Sequence, residues 1–272
     1  MSYGLWSLLK IGNLIRSARI LPAQISCKNK DDGTPTTDLE KKIEEFVVET
    51  ARQFFPELAF VGEESGGELA SERISIVLDP IDGTRSLLSH TESCTTSLAF
   101  FRNGYPFIGM VLNPVTGELG YAIKGNNTRL IQLSLFTEED YAVDLPTRQN
   151  ARARACLVNF QPARNNENLV RSLHHLWQQG KVQFVKSIGG SPSWALLEAA
   201  KGHFIYINHW GASPAASYDL AAGIILVRGA GGEVVNEEGS PIPFVGHQGL
   251  LIAGVAVDDF PELLSIRYKN QF

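Results

Sequence analysis

The segment that decides the fold is Asp79-Pro80-Ile81-Asp82-Gly83-Thr84, which follows the mostly apolar, β-branched run Arg73–Leu78. That run predicts a buried strand that leads directly into the segment. Pro80 presets the backbone and has no N–H to satisfy, and Gly83 permits a tight turn. The two aspartates, three residues apart on such a turn, can point into one cavity. A helix that begins near Thr84 would add backbone N–H groups that favour an anion, so one segment can supply cation-binding oxygens and a phosphate cradle together.

Three further places along the chain concentrate acidic residues. They are Gly62-Glu63-Glu64-Ser65, Asp219 within Tyr218-Asp219-Leu220-Ala221-Ala222-Gly223, and Asp38 beside Thr36-Thr37. Carboxylates gathered in one place repel each other, and a hard divalent cation relieves that repulsion. Oxygen ligands without His or Cys favour Mg²⁺ or Mn²⁺ over zinc.

Sequence patterns in the first half of the chain predict a helix followed by an antiparallel meander of β-strands. Thr37-Asp38-Leu39-Glu40 is typical of a capping box that opens a helix, and Pro56 ends the helical pattern. Thr95–Phe101 and Phe107–Leu112 flank Asn103-Gly104, which is the strongest short signal for a hairpin. Glu118–Ile123 then predicts a further strand.

The second half predicts alternating strands and helices. The polar stretch 137–154 favours a boundary that divides the chain into 1–145, an α+β half with the metal-binding motifs, and 146–272, an α/β half that completes the site. The predicted elements are the strands Ala155–Phe160, Val182–Val185 and Phe204–Ile207 and the helices Glu167–Gln179, Ser191–Ala200 and Ser217–Arg228. The fold class expected from both halves is α/β.

Composition excludes several classes of protein. The 272 residues are 44% hydrophobic and carry a formal net charge of -5, which argues against disorder and against holding a nucleic acid polymer by net charge. No apolar run is long enough to span a membrane. Three widely spaced cysteines form neither a disulfide framework nor a zinc site, so we expect a reducing, cytoplasmic location.

The N-terminal 30 residues contain no acid and five basic residues, which leaves two interpretations. One is an organelle transit peptide. The other is an amphipathic first helix, with its apolar side formed by Leu5, Leu8, Leu9 and Ile15.

The acidic motifs, taken together and in this order, resemble those of the inositol monophosphatase family of Mg²⁺-dependent, lithium-sensitive phosphatases. The matching pieces are Gly62–Ser65, the segment Asp79–Thr84 and Tyr218–Gly223, and Lys30–Thr36 is similar to a further family segment. The resemblance covers nearly the whole chain. It implies a layered αβαβα sandwich, with an antiparallel-sheet N-terminal half and an α/β C-terminal half, and a homodimer.

The resemblance also implies roles for individual residues. Glu63, Asp79 and the Ile81 carbonyl would hold a first Mg²⁺ that activates the attacking water. A second Mg²⁺, at the leaving oxygen, would be held by Asp79, Asp82 and Asp219. A third, more weakly bound ion would contact Glu63 through water molecules. Thr84, oriented by Asp38, would position the water, with Glu64 nearby.

The substrate side departs from the family pattern. The resemblance places Gly83, Thr84, Gly190 and Ser191 against the substrate, and Asn208 stands where inositol-specific members carry an acid. The expected substrate is a small phosphorylated metabolite such as inositol monophosphate. The relatives' substrates 3′-phosphoadenosine 5′-phosphate, fructose 1,6-bisphosphate and histidinol phosphate stay open as alternatives.

Two other functions compete with this interpretation. An aspartyl-nucleophile phosphatase is disfavoured, because its motif separates the aspartates by one residue and here Pro80 and Ile81 separate them. A metal-binding protein without turnover is disfavoured because no ligand is missing.

Overall fold

The structure is a computed structural model of the 272-residue chain. It describes residues 2–20, 26–30, 33–133, 141–144, 155–159, 167–188, 190–210 and 215–255. Some positions named above lie outside these ranges: Asp31 and Asp32 within Lys30–Thr36, Phe160 at the end of a predicted strand, and the predicted boundary between 145 and 146.

The first half builds a seven-stranded sheet. Its helices are α1 (Ser2–Ile20), α2 (Asp38–Phe54) and the short α3 (Thr84–Leu88), and a small two-stranded sheet pairs β1 (Cys27–Asn29) with β2 (Pro35–Thr37). The large sheet contains β3 (Ala59–Gly62), β4 (Ser75–Asp82), β5 (Thr95–Arg102), β6 (Tyr105–Leu112), β7 (Glu118–Ile123), β8 (Arg129–Gln132) and β9 (Tyr141–Asp144), in that order. β3 and β4 are parallel, and every later pair is antiparallel.

The second half builds a mixed five-stranded sheet. Its elements are β10 (Ala155–Asn159), α4 (Glu167–Gln178), β11 (Phe184–Ile188), α5 (Pro192–Ala200), β12 (Ile205–Trp210), α6 (Ser217–Gly229), β13 (Glu233–Val235) and β14 (Gly249–Gly254). The strand order is β11-β10-β12-β14-β13. β10 is parallel to both neighbours, whereas β14 is antiparallel to β12 and β13.

The predicted αβαβα sandwich is confirmed, because alternate residues of each strand face different helix layers. On β4, Ile76 and Leu78 pack with α1 and α2, while Val77 faces α5 and α6. On β10, Leu157 joins the α5–α6 layer and Val158 packs with α4. The order of layers is therefore α1–α2, the seven-stranded sheet, α5–α6, the five-stranded sheet and α4.

Most predicted elements form, and the differences lie at their ends. The strand predicted over Arg73–Leu78 begins at Ser75 and continues to Asp82, so the acidic turn is part of β4. The hairpin turn forms at Asn103 and Gly104, both with positive φ. Sequence patterns missed several strands, among them the short β3, β8 and β9 and the six-residue β14, and β9 lies within the stretch predicted as a boundary.

The N-terminal segment forms α1, and its apolar side packs against the sheet. Leu8, Ile11 and Ile15 are fully buried with residues of β5 and β6, as the amphipathic-helix interpretation predicts. The side chain of Leu5 lies outside the described residues. None of the helices that the structure describes is both long enough and apolar enough to cross a membrane.

A buried ion-pair cluster joins α5 to β7. Lys201 Nζ lies 2.8 Å from Glu118 Oε1 and 2.7 Å from Glu198 Oε1, and its side chain is only 10% exposed. We expect Lys201→Met to lower the free energy of unfolding by about 3 kcal/mol, because it removes the cation that Glu118 and the largely buried Glu198 share. The exposed pair of Lys42 with Asp38 is the control, and Lys42→Met should cost less than about 0.5 kcal/mol. Urea unfolding of both variants checks this, and equal losses would contradict it.

Candidate active site

Three of the four acidic places meet in one pocket of about 590 Å³, through Glu63, Asp79, Asp82 and Asp219. Asp38 does not line it, and neither does Glu64. Its wall includes residues from β4, from the turn after β3 and from the first turns of α5 and α6. The pocket brings together Glu63, Asp79, Ile81, Asp82, Gly83, Thr84, Gly190, Asn208 and Asp219, all named from the sequence.

The turn at the end of β4 aims two carboxylates into this pocket. The pairing of β4 with β5 shifts register between Asp79 and Asp82, and such a bulge redirects side chains. Pro80 has no N–H to lose from the ladder, and its carbonyl accepts a hydrogen bond from Thr96 Oγ1 at 2.9 Å. The Ile81 N–H donates to Asp79 Oδ1 at 3.0 Å, which holds that carboxylate against the turn.

Gly83 has to be glycine for two reasons. Its φ is 93°, a left-handed conformation that costs other residues energy. A Cβ there would also lie 2.6 Å from the Ser93 carbonyl oxygen. α3 starts immediately afterwards at Thr84, as predicted, although it is only five residues long.

Glu63 and Glu64 lie on a turn that α2 holds in place. Glu44 accepts hydrogen bonds from the N–H groups of Glu64 at 2.9 Å and Ser65 at 2.8 Å. Lys30 Nζ lies 2.7 Å from Glu63 Oε1 and 2.6 Å from Glu64 Oε1. Burial alone would lower the pKa of Lys30, but these two acids outweigh it and raise the pKa, so Lys30 stays charged.

Of the remaining acids, Asp79 and Asp82 are almost fully buried and Asp219 is partly buried, and their charges repel one another. Burial, followed by the charges of Glu63 and Asp82, raises the pKa of Asp79 well above its ordinary value. Burial and the charge of Asp219 raise the pKa of Asp82 to about 8. Asp219 accepts a hydrogen bond from the Ala216 N–H at 3.0 Å, yet burial and Glu63 raise its pKa to about 7. The pocket therefore favours protons or cations on its carboxylates.

The raised pKa values predict how stability changes with pH in metal-free protein. Between pH 4 and pH 8 the folded protein holds a proton on Asp82 that the unfolded chain, with a pKa of 3.8, has released. The free energy of unfolding should therefore fall as the pH rises through this range. The asparagine of Asp82→Asn cannot ionise, so the free energy of unfolding of this variant should fall less over the same pH range. Thermal melts of both proteins in chelator at pH 5 and pH 8 check this, and parallel losses would contradict it.

The structure corrects one predicted contact. Thr84 Oγ1 donates to Glu40 Oε1 at 2.7 Å, whereas Asp38 does not orient Thr84. Asp38 lies at the surface, where it accepts hydrogen bonds from Lys42 Nζ at 2.7 Å and the Ser26 N–H at 3.0 Å. The reason is helical geometry: Asp38, two residues before Glu40, points away from the buried face of α2.

Glu40 and Glu44 were missed by sequence reasoning, although the sequence carried a signal for them. The buried residues of α2 are Glu40, Ile43, Glu44, Val47 and Ala51, which form one stripe at helical spacing. Two acids on the apolar stripe of a helix must meet polar partners in the core. Glu40 also completes the predicted capping box, because its Oε2 accepts from the Thr37 N–H.

The spacing of the acids leaves room for more than one cation position. Among the described residues, one trio has carboxylate oxygens within 4.8 Å of one another: Glu40, Glu63 and Glu64. The predicted ligands Asp79, Asp82 and Asp219 line the same pocket but are more widely spaced. The Ile81 carbonyl oxygen lies 3.2 Å from Thr84 Oγ1, whose single hydrogen is donated to the closer Glu40 Oε1.

The substrate side of the pocket combines neutral polar, aromatic and basic groups. Within the described part of the chain, nothing hydrogen-bonds Asn208 Oδ1, although Asn208 is 1% exposed. Trp210 and Arg85 line the same pocket, and Ser191 Oγ donates to the Asp82 carbonyl at 3.2 Å. A buried amide oxygen without a partner is suited to a ligand that can donate a hydrogen bond.

Comparisons with known proteins identify the family of this chain. The family model described as "Inositol monophosphatase family" matches residues 5–267. Inositol-1-monophosphatase of Bacillus subtilis (strain 168) is 26% identical over 237 residues, which are 85% of this chain and 84% of that protein. The Nus factor SuhB of Escherichia coli (strain K12) is 25% identical over 267 residues, which are 96% of this chain and 91% of that protein.

Solved structures share the fold. The extragenic suppressor protein suhB from Bartonella henselae superposes with a TM-score of 0.80 at 19% identity, covering 100% of this chain and 99% of that one. An IMPase/NADP phosphatase complexed with Mg²⁺ and phosphate has a TM-score of 0.72 at 18% identity, covering 100% and 98%.

The layered fold is that of the solved structures just named, and acidic side chains line its pocket. Since the family model spans nearly the whole chain, this protein belongs to the inositol monophosphatase family.

Proposed function

We propose that the protein is a Mg²⁺-dependent phosphomonoesterase that hydrolyses a small phosphate monoester, such as inositol monophosphate, with a water as nucleophile. The observation that carries this proposal is the meeting of Asp79, Asp82 and Asp219 in one pocket, the first two almost fully buried and the third partly buried. Among the described residues, only Lys30 and Arg85 bring basic groups to its wall. Carboxylates buried in this way need bound cations to stay ionised at neutral pH.

The donor set suits magnesium. Every candidate ligand is a carboxylate or carbonyl oxygen, which favours Mg²⁺, with Mn²⁺ as a substitute. One ion would be held by Glu63, Asp79 and the Ile81 carbonyl. A second ion would be held by Asp79, Asp82 and Asp219. A third ion would lie near Glu63. When bound, Mg²⁺ lowers the pKa of the attacking water and stabilises charge on the leaving oxygen. A related phosphatase has been solved with Mg²⁺ and phosphate.

The chain's own residues position the attacking water. Thr84 donates its hydroxyl hydrogen to Glu40, so the Thr84 oxygen keeps lone pairs to accept a hydrogen bond from water. Burial raises the pKa of Glu40, which makes this carboxylate a better proton acceptor. We assign to Glu40 the orienting role that the sequence assigned to Asp38, and Glu64 stays a neighbouring acid.

The phosphate and its organic group would be held on opposite sides of the pocket. Gly83 and Thr84 offer backbone N–H groups at the start of α3 to the phosphate oxygens. Gly190 and Asn208 line the pocket and would face the organic group, whereas Ser191 is fully buried and donates to the Asp82 carbonyl instead. Because Asn208 is an amide, it can both accept and donate hydrogen bonds to a hydroxyl or a ring nitrogen.

A substrate panel tests the proposal. Phosphate release would be measured from inositol 1-phosphate, fructose 1,6-bisphosphate, 3′-phosphoadenosine 5′-phosphate and histidinol phosphate, with Mg²⁺ and then with a chelator. We expect release that disappears on chelation, and the fastest substrate identifies the specificity. Release that persists in chelator would exclude the metal mechanism, and no release from any substrate while Mg²⁺ binds would favour a silent metal-binding protein. The cytoplasmic location and the homodimer stay predictions.

A further inference from the structure

We propose that Ser193 is a positioning residue for the cation site, which it serves by fixing which oxygen of Asp82 faces the pocket. The proposal rests on the proposed function only in taking Asp82 as a metal ligand. It concerns a residue that does not itself line the pocket and lies 111 positions from Asp82 in sequence.

Two donors of Ser193 converge on one carboxylate oxygen. The Ser193 N–H donates to Asp82 Oδ2 at 2.6 Å, and Ser193 Oγ donates to the same oxygen. Ser193 is 0% exposed and Asp82 is 4% exposed, so water does not compete for these bonds. Two hydrogen bonds use both in-plane lone pairs of Oδ2 and leave Oδ1 as the oxygen available to a cation.

The same contact caps helix α5. The N-cap residue Ser191 makes no capping hydrogen bond with its side chain, and Pro192 has no N–H. The Ser193 N–H is therefore the first amide of α5 that needs an acceptor, and Asp82 supplies it from β4. A carboxylate at this position also faces the positive end of the helix dipole.

A buried hydroxyl behind Ser193 fixes the direction of the hydrogen bonds. Thr95 Oγ1 lies 2.7 Å from Ser193 Oγ. Ser193 has a single hydroxyl hydrogen and donates it to Asp82, so Thr95 must be the donor to Ser193. The hydrogen bonds run from Thr95 to Ser193 to Asp82, and residues of β5, α5 and β4 together orient the carboxylate.

The test measures Mg²⁺ affinity directly. Isothermal titration of the folded, chelator-stripped full chain with MgCl₂ would compare the unaltered protein with Ser193→Ala. Removing a group that orients a metal ligand typically weakens metal affinity 10–100-fold, and we expect a loss within about that range. A residue that merely packed in α5 would lower the melting temperature and leave Mg²⁺ affinity unchanged.

Thr95→Val provides a second, milder variant. It removes the donor behind Ser193 and keeps the volume, so we expect a smaller loss of Mg²⁺ affinity in the same direction. Thr128→Val is the matched control, because Thr128 is a buried threonine whose hydroxyl donates to the Leu226 carbonyl near the far end of α6. This control should leave Mg²⁺ affinity unchanged.

The outcomes separate this inference from the proposed function. Mg²⁺ affinity of Ser193→Ala within twofold of the unaltered protein would overturn the positioning role, as would equal losses in Thr95→Val and Thr128→Val. Weaker Mg²⁺ binding in Ser193→Ala supports the role even if no substrate of the panel is hydrolysed, in which case only the proposed function fails. Absence of Mg²⁺ binding by the unaltered protein would overturn both.

Discussion

Asp82→Asn should reduce Mg²⁺-dependent phosphate release by about 10³-fold or more while the protein stays folded. A cation at a reacting phosphate contributes several kcal/mol of charge stabilisation in the transition state, and each 1.4 kcal/mol corresponds to about tenfold in rate. Asn keeps the size of the side chain and can still accept from the Ser193 N–H, so α5 remains capped. The measurement is steady-state phosphate release across a range of Mg²⁺ concentrations.

The control for this variant is a measurement of folding and stability. Circular dichroism and a thermal melt in chelator at pH 8 should show a protein at least as stable as the unaltered one, because the buried charge on ionised Asp82 destabilises the metal-free unaltered protein at that pH. Near-native turnover by a folded Asp82→Asn protein would show that Asp82 holds no catalytic ion.

We expect very different effects on kcat from Glu40→Gln and Asp38→Asn, although the two residues lie only two positions apart. We expect Glu40→Gln to lower kcat by about 10²-fold, because Thr84 loses the charged acceptor that orients it. Asp38→Asn should change kcat less than about twofold, since the Asp38 carboxylate accepts hydrogen bonds from Lys42 and the Ser26 N–H at the surface, away from Thr84. Rates at saturating Mg²⁺ and substrate provide the comparison.

Stability has to be separated from catalysis in this pair. Glu40 also accepts hydrogen bonds from Thr37 at the start of α2, so Glu40→Gln should also lower the melting temperature. Assays are therefore made well below that temperature. A larger loss of kcat in Asp38→Asn than in Glu40→Gln would restore the sequence-based assignment.

The sequence predicted the parts of the site that are local. Asp79 to Thr84 form one turn, and the residue types at each position dictate its shape. The contact of Asp38 with Thr84, which the family resemblance implied, does not form. The helical period places Glu40 and not Asp38 on the buried stripe of α2, and Glu40 accepts from Thr84.

Contacts between distant segments could not be predicted. Nothing near Asp82 in the chain indicates that Ser193 would donate two hydrogen bonds to it, because that contact exists only once α5 packs against β4. The strands were predicted best where their patterns are clear, as for Glu118–Ile123, which forms with the predicted bounds. Short strands such as β8 have too few residues to show a period.

The middle helix layer has a consequence for how the chain is made. Val77 and Ala99 of the first sheet share one core with Leu226 of α6 and Leu251 of the second sheet. A nascent chain that has left the ribosome only as far as residue 145 has nothing to cover that face of its first sheet. The first sheet can complete its packing only after α5 and α6 have been synthesised, about 50 to 85 residues beyond residue 145. Until then its exposed apolar face can bind chaperones or aggregate.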